Sequence, residues 1–600
     1  MVPRTIGKST LDLPAGIRMP PTLDALLTSL EAAKGRFGRG ASAHTQTLLE
    51  QLARHQFRDA KSLIRFHESL LFLRAFPQSR AVVAKIEQLL DTFHKRVEKL
   101  RELGVDMSVF DDFDTSGIAG TTMQDALNFD AARWLARRIP RNVEIAWDDY
   151  EEERAMGSTW PRFIPLLSED ADVEANIPWR SWLDSARGRE RYLEWLIRRF
   201  EQLPVSNRQR AELYDSLRIP LRWRLENLKI SRSRNWTQPR QFYYHGAPLL
   251  VRSQVSLTRE LAQPAPRLAR VSRREGQSVM DNIRAVMAVR YRELYGTTLG
   301  DPNSVVRARL GRGVVMYFWN LPADRRLPLR AYVAGFTLKN GVPINYIEAI
   351  GLCEWIEVGF NTFYTYRQGE TAWIYAQALR CLCAFTGATT ISVYPYQIGQ
   401  NNDEALDSGA FWFYRKLGFR SGSSDLEQLA RREEQKIAAN PQYRTPKKTL
   451  RRLAEAHVFY EVGRVDPLST DSQVLASRAP SAPGAWDTFS TRNLGLRVNR
   501  RMAREFGGDS QRICRASVID VGRALGINLS RWTSAERQAF ENWSLVLALI
   551  PDLSRWTPQE KKDTAKIIRA QAGPNEMRYL RLTRHHLRLR KELLRLGSNR

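Results

Sequence analysis

Strand-forming residues are concentrated between positions 313 and 360, and this concentration constrains the fold more than any other feature of the sequence. Four runs there are rich in Val, Ile, Tyr, Phe and Trp: 314–319, 332–338, 344–350 and 355–360. Asn340 and Gly341 separate the second run from the third. An Asn-Gly pair favours a tight hairpin turn because both residues tolerate positive φ. The pattern predicts antiparallel strands joined as a meander.

A helix, a strand and a second helix are predicted to follow these strands. Apolar residues recur at helical spacing over 372–383, and Gly387 ends that run. The β-rich segment 389–394 comes next, and a short helical run over 410–417 follows it. Strands combined with helices in this order indicate an α/β layer and not a helix bundle.

The regions on either side of this layer read as mostly helical, and three parts are predicted. They are a Trp- and Arg-rich region over 1–285, the α/β domain with a helical extension over 286–462, and a linker with a basic helical region over 463–600. The Ser/Pro-rich stretch 477–483 marks the linker. Tryptophans alternating with arginines are typical of base-stacking platforms, but core tryptophans on helices with solvated Arg faces are favoured.

The segment from Ser408 to Phe419 carries the most specific motif, Ser-Gly-Ala-Phe-Trp-Phe-Tyr-Arg-Lys-Leu-Gly-Phe. A small residue, then Phe-Tyr, then Lys-Leu-Gly-Phe resembles the last helix and following strand of the GNAT superfamily of acyl-CoA N-acyltransferases. The order of the preceding elements is similar to that family over roughly 286–425. The resemblance implies a GNAT-like mixed sheet. It also implies transfer of an acyl group, most simply acetyl from acetyl-CoA, to an amine acceptor that the sequence does not identify.

Acyl transfer from a thioester to an amine requires a backbone cradle for phosphates, a base, and a proton donor for the departing thiolate. The resemblance assigns the cradle to a loop and helix that begin at Arg367. The family often has an Asn shortly before the last helix; Asp407 occupies that position here, and Asn402, at the start of a longer connection over 400–408, is the candidate instead. The candidate cofactor-binding residues are Arg367, Gln368, Gly369, Thr371, Ala372 and Asn402.

The loop departs from the family pattern at one position. Arg367 and Ala372 fit its first and last places, but Gly369 falls one place early and Glu370 occupies the glycine position. An acid beside a pyrophosphate is unfavourable unless its side chain points away. The alternative interpretation is a simple turn in which Glu370 improves a helix N-terminus.

Tyr414 matches the tyrosine that protonates the leaving thiolate in many members of the family. Core packing explains it equally well, because Ala410, Phe413, Tyr414 and Leu417 would share one apolar helix face. The hypothesis of catalysis and the hypothesis of packing therefore both stand.

The general base is expected to be a carboxylate on the sheet, because burying an acid there is costly unless it has a partner or a task. Alternation over 353–360 places Glu354 on one face and Glu357 on the other, and Glu348 shares a face with Tyr346. Glu354, Glu357 and Glu348 are the candidate catalytic bases, and Glu354 ranks first.

The charge of the chain lies mainly outside the presumed catalytic layer. The net charge is +27, yet residues 301–425 contain 12 basic and 10 acidic residues, whereas 561–600 contain 12 and 3. The tail over 561–600 is a candidate for binding nucleic acid or an anionic surface. Its interleaved leucines favour a docked helix with a charged outer face. A catalytically degenerate GNAT-fold scaffold or a nucleic-acid-binding protein is the alternative function.

The remaining sequence signals narrow the class of protein. Four cysteines without a CxxC pair suit a reducing compartment, and neither a signal peptide nor a transmembrane segment is recognised, so a cytoplasmic location is expected. No metal site is predicted: Asp111, Asp112 and Asp114 lie in a loop-like stretch, and His585 and His586 lack acidic or Cys partners.

Overall fold

The computed structural model describes residues 21–150, 153–173, 179–292, 294–462 and 484–598. Over these residues the protein is a mixed α/β structure with 26 α-helices and two β-sheets. The mixed α/β class expected from the sequence is therefore confirmed. The Ser/Pro-rich stretch 477–483 lies outside the described residues. In the described part of the chain, no helix combines the length and the apolar character needed to cross a bilayer.

Five helices open the structure, and their boundaries follow from local signals. The side chains of Thr22, Asp59 and Ser79 each accept a backbone hydrogen bond at a helix start, which satisfies donors that have no partner within the helix. The helices are α1 (Leu23–Ala33), α2 (Ala41–Arg54), α3 (Ala60–Ala75), α4 (Arg80–Asp91) and α5 (Phe93–Glu102). Their apolar faces pack into the same core as the large sheet.

A small antiparallel sheet with its own core follows. Its strands β1 (Thr122–Asp125), β2 (Val143–Ile145) and β3 (Leu221–Arg224) are arranged with β3 in the centre. Strands of three or four residues carry too little alternation to be recognised in a sequence, so this sheet was not predicted. The associated helices are α6 (Phe129–Arg138), α7 (Glu153–Thr159), α8 (Leu167–Val173), α9 (Trp179–Arg187), α10 (Tyr192–Glu201) and α11 (Asn207–Ser216).

The large sheet has nine strands. In chain order they are β4 (Leu268–Arg270), β5 (Val306–Arg309), β6 (Val314–Asn320), β7 (Ala331–Lys339), β8 (Val342–Leu352), β9 (Trp355–Thr362), β10 (Thr390–Val393), β11 (Arg420–Ser421) and β12 (Val458–Glu461). Their spatial order is β11-β12-β10-β9-β8-β7-β6-β5-β4. Among the described strands, β9 and β10 form the one parallel pair.

The remaining helices lie around this sheet. They are α12 (Leu257–Ala262), α13 (Arg273–Ala288), α14 (Tyr295–Thr298), α15 (Thr371–Thr386), α16 (Pro395–Ile398), α17 (Asp403–Asp407), α18 (Ala410–Arg415), α19 (Ser424–Ala439), α20 (Lys447–Leu453), α21 (Thr491–Phe506), α22 (Ser510–Leu525), α23 (Ser534–Leu547), α24 (Pro558–Ala572), α25 (Glu576–His585) and α26 (Leu587–Gly597). The predicted boundary at residue 285 falls within α13, and β4 joins the large sheet from before that boundary.

The hairpin between β7 and β8 turns at Asn340 and Gly341, with φ of +47° and +77°. Both angles lie in the left-handed region, as the Asn-Gly pair predicts. Gly341 is required here for a second reason, because a Cβ would lie 1.8 Å from the carbonyl oxygen of Thr237. The turn is therefore pressed against the chain of the N-terminal region.

The two faces of the large sheet are covered differently. On one face, α15 and α25 pack against the central strands, and the Phe360 and Tyr375 rings lie 4.9 Å apart. On the opposite face, α3 covers the end near the hairpin turn. The part of that face on β8 and β9 stays half-exposed, and we call it the open face. Its residues are Glu348, Ile350, Glu357, Gly359 and Asn361.

The parallel strands β9 and β10 are hydrogen-bonded over only part of their length. The pairing of β9 with β10 runs only over 355–357 and 390–392, after which β9 continues to Thr362. The chain that leaves β10 turns into α16, and the Gln397 side chain lies near Gly359. A gap between parallel strands thus opens beside the open face.

The C-terminal tail is docked, as its leucines predict. Leu580, Leu589, Leu593 and Leu596 are buried, while Leu587 remains exposed. The tail also contacts the loop between β6 and β7, because the Gln571 side chain donates hydrogen bonds to the carbonyl oxygens of 327 and 328. These leucines and contacts make the tail a part of the folded core and not a free polybasic arm.

A buried ion pair joins the hairpin to α15. The Lys339 ammonium lies 3.3 Å from the Glu370 carboxylate, both side chains are fully buried, and Arg312 contacts the same carboxylate. Burial lowers the pKa of Lys339 to about 8. Burial alone would raise the pKa of Glu370, but Arg312 and Lys339 outweigh it and lower that pKa.

We expect Lys339→Met to lower the free energy of unfolding by about 3 kcal/mol, because it leaves a buried carboxylate with one partner fewer. Lys566→Met is the matched control: its side chain is 47% exposed and its partner Asp563 is 39% exposed, so its loss should cost less than about 1 kcal/mol. Urea denaturation of both variants measures the difference. If both variants lose the same free energy of unfolding, the buried ion pair contributes no more to stability than the exposed one.

Candidate functional site

The open face brings two of the predicted carboxylates together. In the antiparallel register Ile350 lies opposite Glu357 and Glu348 lies opposite Gly359, so both acids project from the same side. Diagonal neighbours of this kind have side chains within reach of one another. The shared face predicted for Glu348, Tyr346 and Ile350 is observed.

Glu348 is held by a phenol from the neighbouring strand. The Tyr332 hydroxyl donates a hydrogen bond to the Glu348 carboxylate. Burial raises the pKa of Glu348, and this hydrogen bond lowers it in part. Burial and the nearby carboxylate raise the pKa of Tyr332, so the phenol keeps its proton. Glu348 is therefore a carboxyl group with an elevated pKa at a half-exposed position.

Glu357 has a different set of partners. The His457 Nε2 atom lies 2.9 Å from one carboxylate oxygen, and an Arg330 nitrogen lies 3.7 Å from the other. His457 precedes β12 and stacks edge-on against Tyr394, with ring centroids 5.3 Å apart. The result is a half-exposed pair of a carboxylate and an imidazole at the place where β9 and β10 separate.

Glu354 lies elsewhere, and its contacts are structural. It occupies the tight turn between β8 and β9, where Cys353 has a φ of +56°, because the strand begins two residues later than predicted. Its carboxylate accepts hydrogen bonds from Arg590 Nε at 2.7 Å and Trp486 Nε1 at 2.8 Å. Burial would raise the pKa of Glu354, but these two donors outweigh it and lower the pKa.

In the loop before α15, Glu370 stands at the position where the resemblance noted in the sequence predicts a glycine. Glu370 has a φ of +47°, the left-handed conformation that favours glycine, and no side chain caps the helix. The Glu370 carboxylate points inward to Lys339 and Arg312. The backbone thus keeps a glycine-like shape while the negative charge faces away from the loop surface.

Some of the other candidate cofactor-binding residues are exposed on the surface of this loop, and the others are buried beneath it. Arg367 and Gln368 are exposed, Arg367 forms an ion pair with Glu404 of α17, and Thr371 donates a hydrogen bond to the carbonyl of Arg367 at 3.0 Å. Ala372 is buried in the first turn of α15. Gly369 packs on Phe76, because a Cβ there would lie 2.3 Å from the ring.

Asn402 and Tyr414 are held by local structure. The Asn402 side chain caps α17, accepting from the backbone N–H of Ala405 at 3.1 Å and donating to the carbonyl of Tyr396 at 3.0 Å. Tyr414 is 4% exposed, and its ring packs edge-on against Tyr375 with centroids 5.6 Å apart. Burial raises the pKa of Tyr414, so its hydroxyl stays protonated.

Three residues that contact the carboxylates of the open face were missed in the sequence: Tyr332, Arg330 and His457. Tyr332 carried a usable signal, since it lies on the strand that pairs with β8 and alternation places it on the same side as Glu348. His457 carried no such signal. It approaches Glu357 only because β12, nearly a hundred residues away, enters the sheet next to β10.

Comparison of the chain with protein-family models, with curated proteins and with solved structures returns no match. The geometry of the open face and of the loop at α15 therefore has to carry any assignment of function.

We expect Glu354→Gln to destabilise the docking of the C-terminal helices by about 2 kcal/mol, because the hydrogen bonds from Arg590 and Trp486 lose the negative charge of their acceptor. Glu592→Gln is the matched control, since its partner Arg595 is 51% exposed on the same helix. Urea denaturation followed by tryptophan fluorescence measures both variants. If the two behave alike, Glu354 does not secure the C-terminal region.

Proposed function

We propose that the protein is an acyl-CoA-dependent N-acyltransferase with a GNAT-like sheet, and that it moves an acyl group, most simply acetyl, to an amine. One observation carries the proposal. The single parallel strand pair among the described strands separates next to two half-exposed carboxylates, and the helix that follows β9 begins with an uncapped N-terminus. This arrangement places an anion-binding site, a groove between two strands and a candidate base one after another in space.

The phosphate end of acyl-CoA would lie at the start of α15. The first N–H groups of a helix have no partner within the helix and attract anions. Arg367 and Gln368 are exposed at this point, and Glu370 is neutralised on the inner side by Lys339. The residues present therefore fit a pyrophosphate, and the acid at the glycine position does not oppose it.

The pantetheine arm would follow the edge of β9. Residues 358–362 extend beyond the last partner that β10 provides, so this edge is available for an extended chain with amide groups. The thioester would then reach the open face, where the Glu348 and Glu357 carboxylates project from neighbouring strands.

The chemistry assigns a role to each group. A carboxylate takes a proton from the acceptor ammonium, and the nitrogen lone pair then attacks the thioester carbonyl carbon. The new C–N bond forms, the C–S bond breaks, and the thiolate leaves with a proton to become the thiol of CoA. Glu348 suits the base because burial raises its pKa toward the working range of such catalysts. Tyr414 keeps its proton, but its ring packs against Tyr375 on the covered face of the sheet, so at the open face the thiolate takes its proton from water.

A non-catalytic scaffold is the second candidate, and one observation favours it. The Arg367–Glu404 ion pair bridges the loop before α15 to α17 and spans the entrance of the proposed groove. If the Arg367–Glu404 ion pair is maintained, it blocks the groove and acyl-CoA does not bind.

Calorimetric titration with acetyl-CoA separates the two candidates. We expect binding in the micromolar range. Arg367→Ala should weaken it about tenfold, because one charge-assisted phosphate contact is worth about 1.4 kcal/mol or more. Glu404→Gln removes the competing partner of Arg367 and should leave the affinity unchanged or increase it. No heat of binding in wild type and in Glu404→Gln would favour the scaffold.

We expect Glu348→Gln to reduce acyl transfer by about 10²-fold or more, because the base is lost while the side-chain volume is kept. The rate should rise with pH as Glu348 loses its proton. Tyr332→Phe removes the hydrogen bond that lowers this pKa, so it should shift the rise to higher pH. Release of CoA thiol with a panel of primary amines provides the measurement. The exposed Glu505→Gln in α21 is the control, and a loss of rate there as large as in Glu348→Gln would contradict the assignment.

A further inference from the structure

A cavity of about 640 Å³ lies near the open face and is formed mostly by residues 111–125, which precede the GNAT-like region, together with Tyr291. It opens between the loop after residue 110, strand β1 and the residue that follows α13. Its lining residues are Asp111, Phe113, Thr122, Gln124, Asp125 and Tyr291. A cavity of this size accommodates a small molecule.

The lining carries negative charge without cationic partners. Among the described residues, neither Asp111 nor Asp125 forms an ion pair, although the chain as a whole has a net charge of +27. Burial raises the pKa of both carboxyl groups, and Asp106 raises that of Asp111 further. Two unpaired carboxylates that are partly withdrawn from water favour a cationic ligand.

Two aromatic residues line the same cavity. Phe113 is 60% exposed and already has the Arg292 guanidinium 5.7 Å from its ring centroid, so Tyr291, on the opposite element, offers the ring that is left for a ligand cation. Tyr291 has a φ of +50°, in the left-handed region that a large residue rarely adopts, and its ring lies 6.3 Å from Trp223. Carboxylates combined with aromatic faces are the usual recognition surface for ammonium groups.

The cavity is next to the proposed reaction site. Arg292 lies over the Phe113 ring at 5.7 Å and also neighbours the Tyr346 hydroxyl, to which Asn361 of the open face donates a hydrogen bond at 3.0 Å. Asp114, in the same loop as Asp111, is close enough to Arg367 for that cation to lower its pKa in part. A ligand in the cavity would therefore extend toward the open face.

We propose that this cavity binds a small di- or polyamine and that the bound amine is the acyl acceptor, the second clause resting on the proposed function. One ammonium group is anchored by Asp111 and Asp125. A second amino group reaches the open face, loses its proton to a carboxylate there and attacks the thioester. A metal ion fits the cavity less well, because no group of three potential ligands occurs among the residues that the structure describes.

Calorimetric titration with spermidine tests binding directly, with 1,6-hexanediol as a neutral probe. We expect spermidine to bind and the diol not to bind. The double variant Asp111→Asn with Asp125→Asn should weaken spermidine binding at least tenfold. Asp112→Asn is the matched control: it removes a neighbouring carboxylate that does not line the cavity, so the affinity should change less than about twofold. Binding that survives the double variant, or no binding at all, would overturn the proposal.

A titration of the same proteins with acetyl-CoA keeps this inference separate from the proposed function. The double variant should retain the acetyl-CoA affinity of the wild type while losing spermidine. If spermidine binds as expected and acetyl-CoA does not bind, the proposed function fails and the acceptor role fails with it. If acetyl-CoA binds and acetylated spermidine forms only with the carboxylates of the cavity intact, both stand. Melting temperatures confirm that the half-exposed substitutions leave the fold unchanged.

Discussion

The buried contact between Lys339 and Glu370 is the constraint on which the rest of the site depends. It ties the β7–β8 hairpin to the residue that immediately precedes α15, and burying two charges is tolerable only because each neutralises the other and Arg312 assists. The pair fixes the left-handed backbone of Glu370 and turns its carboxylate inward. The loop surface before α15 is left without that negative charge.

The flanking regions decide which parts of the sheet remain accessible. Asn340 donates hydrogen bonds to the carbonyl oxygens of Ala75 and Tyr243, so the hairpin turn is enclosed by N-terminal chain. At the opposite end of β8, Arg590 donates a hydrogen bond to Glu354, and this contact holds the C-terminal helices against the sheet. Within the central strands β7 to β10, the half-exposed residues lie on β8 and β9, in the stretch that carries Glu348 and Glu357. The site is therefore what two regions of mostly helical chain leave uncovered.

Much of the layer was predictable because its signals are local. The hairpin at Asn340 and Gly341, the helix over 371–386 and the strand over 390–393 follow from turn chemistry and periodicity within short windows. The small sheet of β1 to β3 was not predictable, since its strands are short and distant in sequence. Glu354 ranked first among the bases because alternation placed it on a strand, whereas the chain uses it in a turn and pairs it with Arg590.

The sequence by itself determined strands β6 to β10, helix α15 and the faces on which Glu348 and Glu357 lie, because each depends on dihedral preferences and on the alternation of neighbouring side chains. Tertiary structure alone decided their environments. Tyr332 reaches Glu348 from a neighbouring strand and His457 reaches Glu357 from a distant one. The direction of the Glu370 carboxylate was decided in the same way. Burial and charge pairing act between segments far apart in the chain, so no local pattern encodes them.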